Sequence, residues 1–151
     1  MKTRSRNLHG VRYNVFAALC SDGTAALEVY ENTGNLETLL DFLLHHLLPV
    51  MNPFPLPHSV LILDNAKIHH ACHDLVTRLC KTRGVLVRFL SPYSPDMNPI
   101  ELMFNVVKCR IRREYMQLRD HDEPEEEIKR IFAEVGTRQN AAAWIRHAGY
   151  M

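Results

Sequence analysis

The sequence predicts a layered α/β domain, and three observations carry the prediction. Two segments within 12–31 have strand character and are joined by a turn, 59–63 and 85–90 are short apolar runs of strand length, and helical apolar spacing fills the stretches between and after them. A chain of 151 residues is enough for one compact core and too short for two comfortable ones. With 46% hydrophobic and 23% charged residues, global disorder is excluded.

Arg12–Leu19 places Tyr13, Val15, Ala17 and Leu19 on one face of a strand. Ser21-Asp22-Gly23-Thr24 reads as a turn and Ala25–Glu31 as the returning strand of a hairpin. Asn35 can cap a helix with Leu36, Leu39, Leu40, Leu43 and Leu47 at helical spacing, stopped at Pro49. Asn52–Pro57, with three prolines, is a stiff connector. Ser59–Leu63 reads as a strand covered on both faces. Ala66–Arg83 follows as a helix ended by Gly84, and Val85–Leu90 as a second buried strand. Ser91–Pro99 carries too many prolines for regular structure. A helix then runs from Pro99 to about Leu118, another carries Ile128, Ile131, Phe132 and Val135 up to Gly136, and a last one carries Trp144 and Ile145.

The formal net charge is +1, but it is unevenly spread. Lys2, Arg4, Arg6 and Arg12 stand without an acid, and Lys108, Arg110, Arg112, Arg113 and Arg119 face only Glu114. Such separation can present a basic face to nucleic acid. Four cysteines show no CxxC pair, which points to reduced thiols in an intracellular protein. The longest apolar stretch, around Leu39–Val50, is interrupted by Asp41, His45, His46 and Pro49, so no membrane partner is expected.

Two carboxylates stand where chemistry is common. Asp64 ends the apolar run Val60–Leu63, the place where ligands bind in open α/β sheets and where a carboxylate can hold a hard cation. Alternatively, Asp64 or Asn65 caps the next helix. Glu101 follows Asn98-Pro99-Ile100, an arrangement that also reads as a capping box. On its helix, Glu101, Asn105, Lys108 and Arg112 form a polar stripe apart from the apolar face of Ile100, Met103, Phe104, Val107 and Ile111. That stripe suits a metal beside a phosphate backbone, and equally a solvated helix face.

The combination is far more specific than either carboxylate. Leu63-Asp64-Asn65-Ala66-Lys67-Ile68-His69 is followed by Leu90-Ser91-Pro92-Tyr93-Ser94-Pro95-Asp96-Met97-Asn98-Pro99-Ile100-Glu101. The pair closely resembles the DDE transposases of the Tc/mariner superfamily, whose second and third catalytic carboxylates lie in these two motifs. Thirty-six residues lie between Asp64 and Glu101, slightly more than is usual in the family. Arg12-Tyr13, the Asp22-Gly23 turn and Lys108 agree with the pattern, and Phe104 stands where tryptophan is frequent.

The resemblance implies a ribonuclease-H-like mixed sheet with flanking helices. It also implies two divalent ions, Mg²⁺ or Mn²⁺, held in part by Asp64 and Glu101, for in-line phosphoryl transfer that cleaves and joins DNA. Asn65, His69 and Asn98 would support the site, and Lys108, Arg112 and Arg113 would contact DNA. Transposon ends and target DNA are the implied partners, with self-association possible in such enzymes and a nuclear location.

One family feature is not matched. The first catalytic Asp, on the first central strand, has no counterpart among Asp22, Glu28, Glu31 and Asp41. The expectation is therefore a partial catalytic domain over 1–151, missing that strand and inactive by itself. A second class of function is a non-catalytic DNA-binding remnant using Arg4, Arg6, Lys108, Arg112 and Arg113. A third is a zinc site from His69, His70, Cys72 and His73.

Overall fold

The computed structural model describes residues 2–3, 7–8, 11–31, 34–64, 72–91 and 95–150. They form β1 (Lys2–Thr3), β2 (Asn7–Leu8), β3 (Val11–Cys20), β4 (Gly23–Glu31), α1 (Leu36–Phe42), β5 (Val60–Leu63), α2 (His73–Thr82) and β6 (Leu86–Phe89), then α3 (Ile100–Arg113), α4 (Tyr115–Arg119), α5 (Pro124–Val135) and α6 (Arg138–His147). The mixed α/β class is as predicted. The chain divides into two compact units: Met1–Thr33 with Pro99–Met151, and Gly34–Asn98. No described helix is long and apolar enough to cross a membrane.

In the first unit, β3 and β4 form the predicted antiparallel hairpin, with Tyr13 opposite Glu31 and Ala17 opposite Leu27. A register shift falls between Ala18 and Leu19, beside the Ser21-Asp22 turn. The other edge of β3 carries β1 and β2, so β3 is an interior strand with both edges paired. These two short strands were not foreseen. They are joined through backbone groups, which need no side-chain alternation.

One face of the hairpin packs on helices. Tyr13, Val15, Ala17 and Val29 join Ile100, Met103, Phe104 and Val107 of α3, Leu118 of α4, and Ile128, Ile131, Phe132 and Val135 of α5 in one core. Burying each large apolar side chain is worth roughly 1.5–3 kcal/mol. Phe104 and Phe132 meet edge to face at 5.6 Å and 82°, which favours a ring edge against a ring face. Trp144 of α6 packs against the margin of this core.

The hairpin turn and the end of α5 meet through glycine. Thr24 donates its N–H to the carbonyl of Gly136 at 3.1 Å, and its hydroxyl faces the Met103 sulfur at 3.7 Å. A Cβ on Gly136 would collide with Thr24 Oγ1 and lie 2.9 Å from the Phe132 carbonyl. Gly136 ends the helix as expected, but at φ −80° its role here is close approach.

The predicted helix from Pro99 to Leu118 is broken at Glu114 (φ −94°, ψ 10°) into α3 and α4. The break lets Leu118 reach the core and leaves Glu114 between two arginines. Arg110 bonds Glu114 at 2.8 Å and Glu134 at 2.7 Å, while Arg130 reaches Glu114 at 2.9 Å, and Glu127 and Glu134 both at 2.8 Å. This network ties α3 to α5. Hydrogen bonds from Arg110 are the main reason that the Glu114 and Glu134 carboxyls titrate below the usual range. A carboxyl with a depressed folded value contributes stability above its unfolded value of about 4.3, and that contribution is lost as pH falls through the folded value. Thermal melts of the wild type are expected to fall as pH drops below that point, and Glu114→Gln should flatten this acid limb. An unchanged acid limb would show that the network adds nothing to stability.

In the second unit, Asn35 caps α1 as predicted. Its side chain accepts from Thr38 N at 3.0 Å, and Thr38 Oγ1 accepts from Asn35 N at 2.9 Å. Helical turns continue through a π segment at Leu43–Leu47 and a 3₁₀ turn at Leu48–Val50, past the expected stop. Pro49 has no N–H, and its ring crowds the carbonyl four residues back, so the last turns widen and then tighten rather than end. Leu39, Phe42, Leu43, Leu47 and Leu48 are buried.

Helix α2 ends in a Schellman turn: Gly84 N–H bonds Lys81 O and Val85 N–H bonds Cys80 O, both at 3.0 Å. Gly84 takes the left-handed φ of 71° that this turn requires. β5 and β6 pair in parallel, Leu61 opposite Val87 and Leu63 opposite Phe89. The expectation that β5 is covered on both faces is corrected. Leu61 (6%) and Leu63 (0%) are buried, but Val60 (40%) and Ile62 (41%) are exposed. The His73 ring of α2 stacks on Phe89 at 3.6 Å, which marks the Leu63–Phe89 side as the covered one.

Candidate active site

Asp64 owes its position to the end of the parallel ladder. The Leu63 carbonyl accepts from Leu90 N at 2.8 Å, beyond the last strand pair. The next residue, Asp64, leaves the sheet half-buried at the carboxyl ends of two parallel strands, where open α/β sheets bind ligands. The neighbouring strand runs out through Leu90 and Ser91, the start of the second motif. Asn65 and His69 lie outside the described residues, as do His70 and Tyr93.

Glu101 lies in the first turn of α3 and is half-buried. The capping-box expectation is not met. Pro99 occupies the N-cap position at φ −63° and ψ −22°, with no side-chain cap bond, so Glu101 is second in the helix rather than third. A capping residue needs extended backbone, whereas Pro99 is already helical and its side chain has no hydrogen-bonding atom to cap with. Asn98 is half-buried just after the 3₁₀ turn Pro95–Met97. No ion pair or side-chain hydrogen bond joins Glu101 to a described residue. A first-turn carboxylate is favoured by the helix dipole, but nothing described neutralises it.

The rest of the polar stripe behaves alike. Asn105 and Arg112 are exposed and Lys108 is half-buried. Lys108, Arg112 and the neighbouring Arg113 form no ion pair with any described residue, whereas Arg110 is taken up by Glu114 and Glu134, and Arg119 by Asp120 at 3.2 Å. The basic run of the sequence thus divides into structural and uncommitted cations. Sequence reading had noted the run but not this partition. The i,i+4 spacings Arg110–Glu114 and Arg130–Glu134 were its legible signal.

Cys72 and Cys80 do not look like ligands. Cys72 and Cys80 are buried, and burial raises both thiols, Cys80 to about 11, which disfavours the thiolate that zinc requires. His73 is stacked on Phe89.

Asp64 and Glu101 belong to different compact units. What they define is a class: an α/β protein with a strand-end Asp, and a helix-start Glu that follows a proline-rich loop after the paired strand. Over residues 2–123 the chain matches the family described as DDE superfamily endonuclease. It belongs to that family, whose members typically use divalent metal ions and act on DNA. No curated protein and no solved structure matched the chain in the same comparisons.

Proposed function

We propose that this chain carries the second and third metal-holding carboxylates, Asp64 and Glu101, of a Tc/mariner-type DNA transposase. The observation that carries this is the pairing of the two motifs with their structural positions: Asp64 at a parallel strand end and Glu101 in a first helical turn, within a family match covering both. Carboxylate oxygens are the donors that Mg²⁺ and Mn²⁺ prefer, so the residues fit the ions that the family uses. Bound ions would supply the positive charge that activates the attacking oxygen and steadies the leaving one. Asp64 and Glu101 would hold them, Asn65, His69 and Asn98 would support that shell, and Lys108, Arg112 and Arg113 would align the DNA backbone. The proposed architecture is a ribonuclease-H-like mixed sheet with flanking helices.

The 151 residues contain no match for the first catalytic Asp. Two of three ligands misplace an ion, and misplacement alone costs about a hundredfold in rate. Incubated with supercoiled DNA and Mn²⁺, this chain is expected to nick no faster than its Asp64→Asn and Glu101→Gln variants. Calorimetry should nevertheless show Mn²⁺ binding that both variants lose. Mn²⁺ binding unaltered by either substitution would remove Asp64 and Glu101 from the site. Nicking that both abolish would show a complete catalytic centre. The second reading, DNA binding without cleavage, is favoured by the uncommitted cations of α3 and predicts salt-sensitive, metal-independent binding.

A further inference from the structure

The connector between the helical segment of the second unit and β5 is a fixed apolar projection. Phe54 (56%), Leu56 (55%) and Val50 (52%) are among the most exposed large apolar side chains described. Pro53 and Pro55 stand between them and Pro57 follows, and the three prolines allow little rearrangement. The loop is also closed on itself: Asn52 N–H bonds the His58 carbonyl at 3.0 Å, the Asn52 side chain bonds the Pro57 carbonyl at 2.7 Å, and Leu56 N–H bonds the Pro53 carbonyl at 3.0 Å. A closed loop that holds a phenylalanine and a leucine in water offers an apolar contact with little left to order on binding.

The surroundings state which kind of partner. Phe54 N–H bonds the Gly84 carbonyl at 2.8 Å, which sets the loop against the end of α2, beside Arg83. Arg78, Lys81 and Arg83 are exposed and form no ion pair with any described residue. No Asp or Glu occurs between Asp41 and Asp64, or between Asp74 and Asp96. Apolar side chains on a stiff loop flanked by uncommitted cations match duplex DNA: the cations meet phosphates, and the apolar tip enters a base step.

We propose that Phe54 and Leu56 form a wedge that unstacks DNA at a base step, anchored by Lys81 and Arg83 on the adjoining phosphates. This rests on the reading that the chain's substrate is DNA, and adds to it a second contact surface remote in sequence from α3. It needs no metal and no cleavage, so it is testable on the chain as it stands.

The experiment titrates the full chain into short duplexes carrying 2-aminopurine at a flexible pyrimidine–purine step, following both its fluorescence and anisotropy. Wild type is expected to bind and to raise the fluorescence several-fold. Phe54→Ala/Leu56→Ala should bind with affinity within a few-fold of wild type and lose the rise. Lys81→Ala/Arg83→Ala should lower the salt slope of binding by about two. All four side chains are exposed, so both variants are expected to keep the wild-type circular dichroism. Binding without any fluorescence rise, or a rise that survives in the Phe54→Ala/Leu56→Ala variant, overturns the wedge and leaves the DNA substrate standing. A chain that binds no duplex at all overturns the substrate reading with it. Self-association that Phe54→Ala/Leu56→Ala abolishes, with DNA binding unchanged, assigns the loop to a protein contact and overturns the wedge as well.

Discussion

Replacing Lys108, Arg112 and Arg113 together by alanine is expected to weaken duplex DNA binding about a hundredfold at low salt, and to lower its salt slope by about three. Each phosphate contact releases close to one counterion, so three lost contacts remove that many powers of the salt dependence. The claim is specific because α3 contains its own control. Arg110 lies on the same helix and carries the same charge, but it is bonded to Glu114 and Glu134. Arg110→Ala should therefore lower the melting temperature while leaving DNA affinity within a few-fold of wild type. If the triple variant binds as wild type does, or if Arg110→Ala weakens binding equally, α3 is not the DNA-facing helix.

Phe132→Ala is expected to destabilise the first unit by about 3–5 kcal/mol, read from the shift in urea midpoint. The ring is 1% exposed and sits edge to face with Phe104 in the core shared by the hairpin, α3 and α5. Its removal leaves a cavity that neighbours on three elements would have to fill, and a domain of this size is stable by only about 5–15 kcal/mol. Phe132→Leu, which keeps most of the volume, should cost markedly less. Equal losses from both would mean that the ring's volume is not what holds these elements together.

Much of the fold was legible because its signals are local. Alternation at Tyr13, Val15 and Ala17, the Asn35 cap, Gly84 after α2 and the spacing Ile128, Ile131, Phe132, Val135 each reflect a period or turn that a few residues impose. The differences arose where a distant partner decides. β1 and β2 exist through backbone pairing with β3, and two residues each are too few to show an alternation in the sequence. The exposure of Val60 and Ile62 depends on which face α2 covers. The break at Glu114 is tied to Arg130, sixteen residues away, and the need for Gly136 is set by Thr24 in the hairpin.

The candidate site shows the same division. The sequence by itself determined the family motifs, the identity of Asp64 and Glu101 as the carboxylates to watch, and a basic run on one helix, because motif and periodicity are written in consecutive residues. Only the tertiary structure decided which of these cations pair with described acids and which do not. In sequence Arg110 differs from Lys108 and Arg112 only by Glu114 four residues on, and it is the packing of α5 against α3 that brings Glu134 to Arg110 and Arg130 to Glu114. It likewise decided that Phe54 and Leu56 stand in water, since exposure is a property of what else the chain places nearby, and no local pattern encodes it.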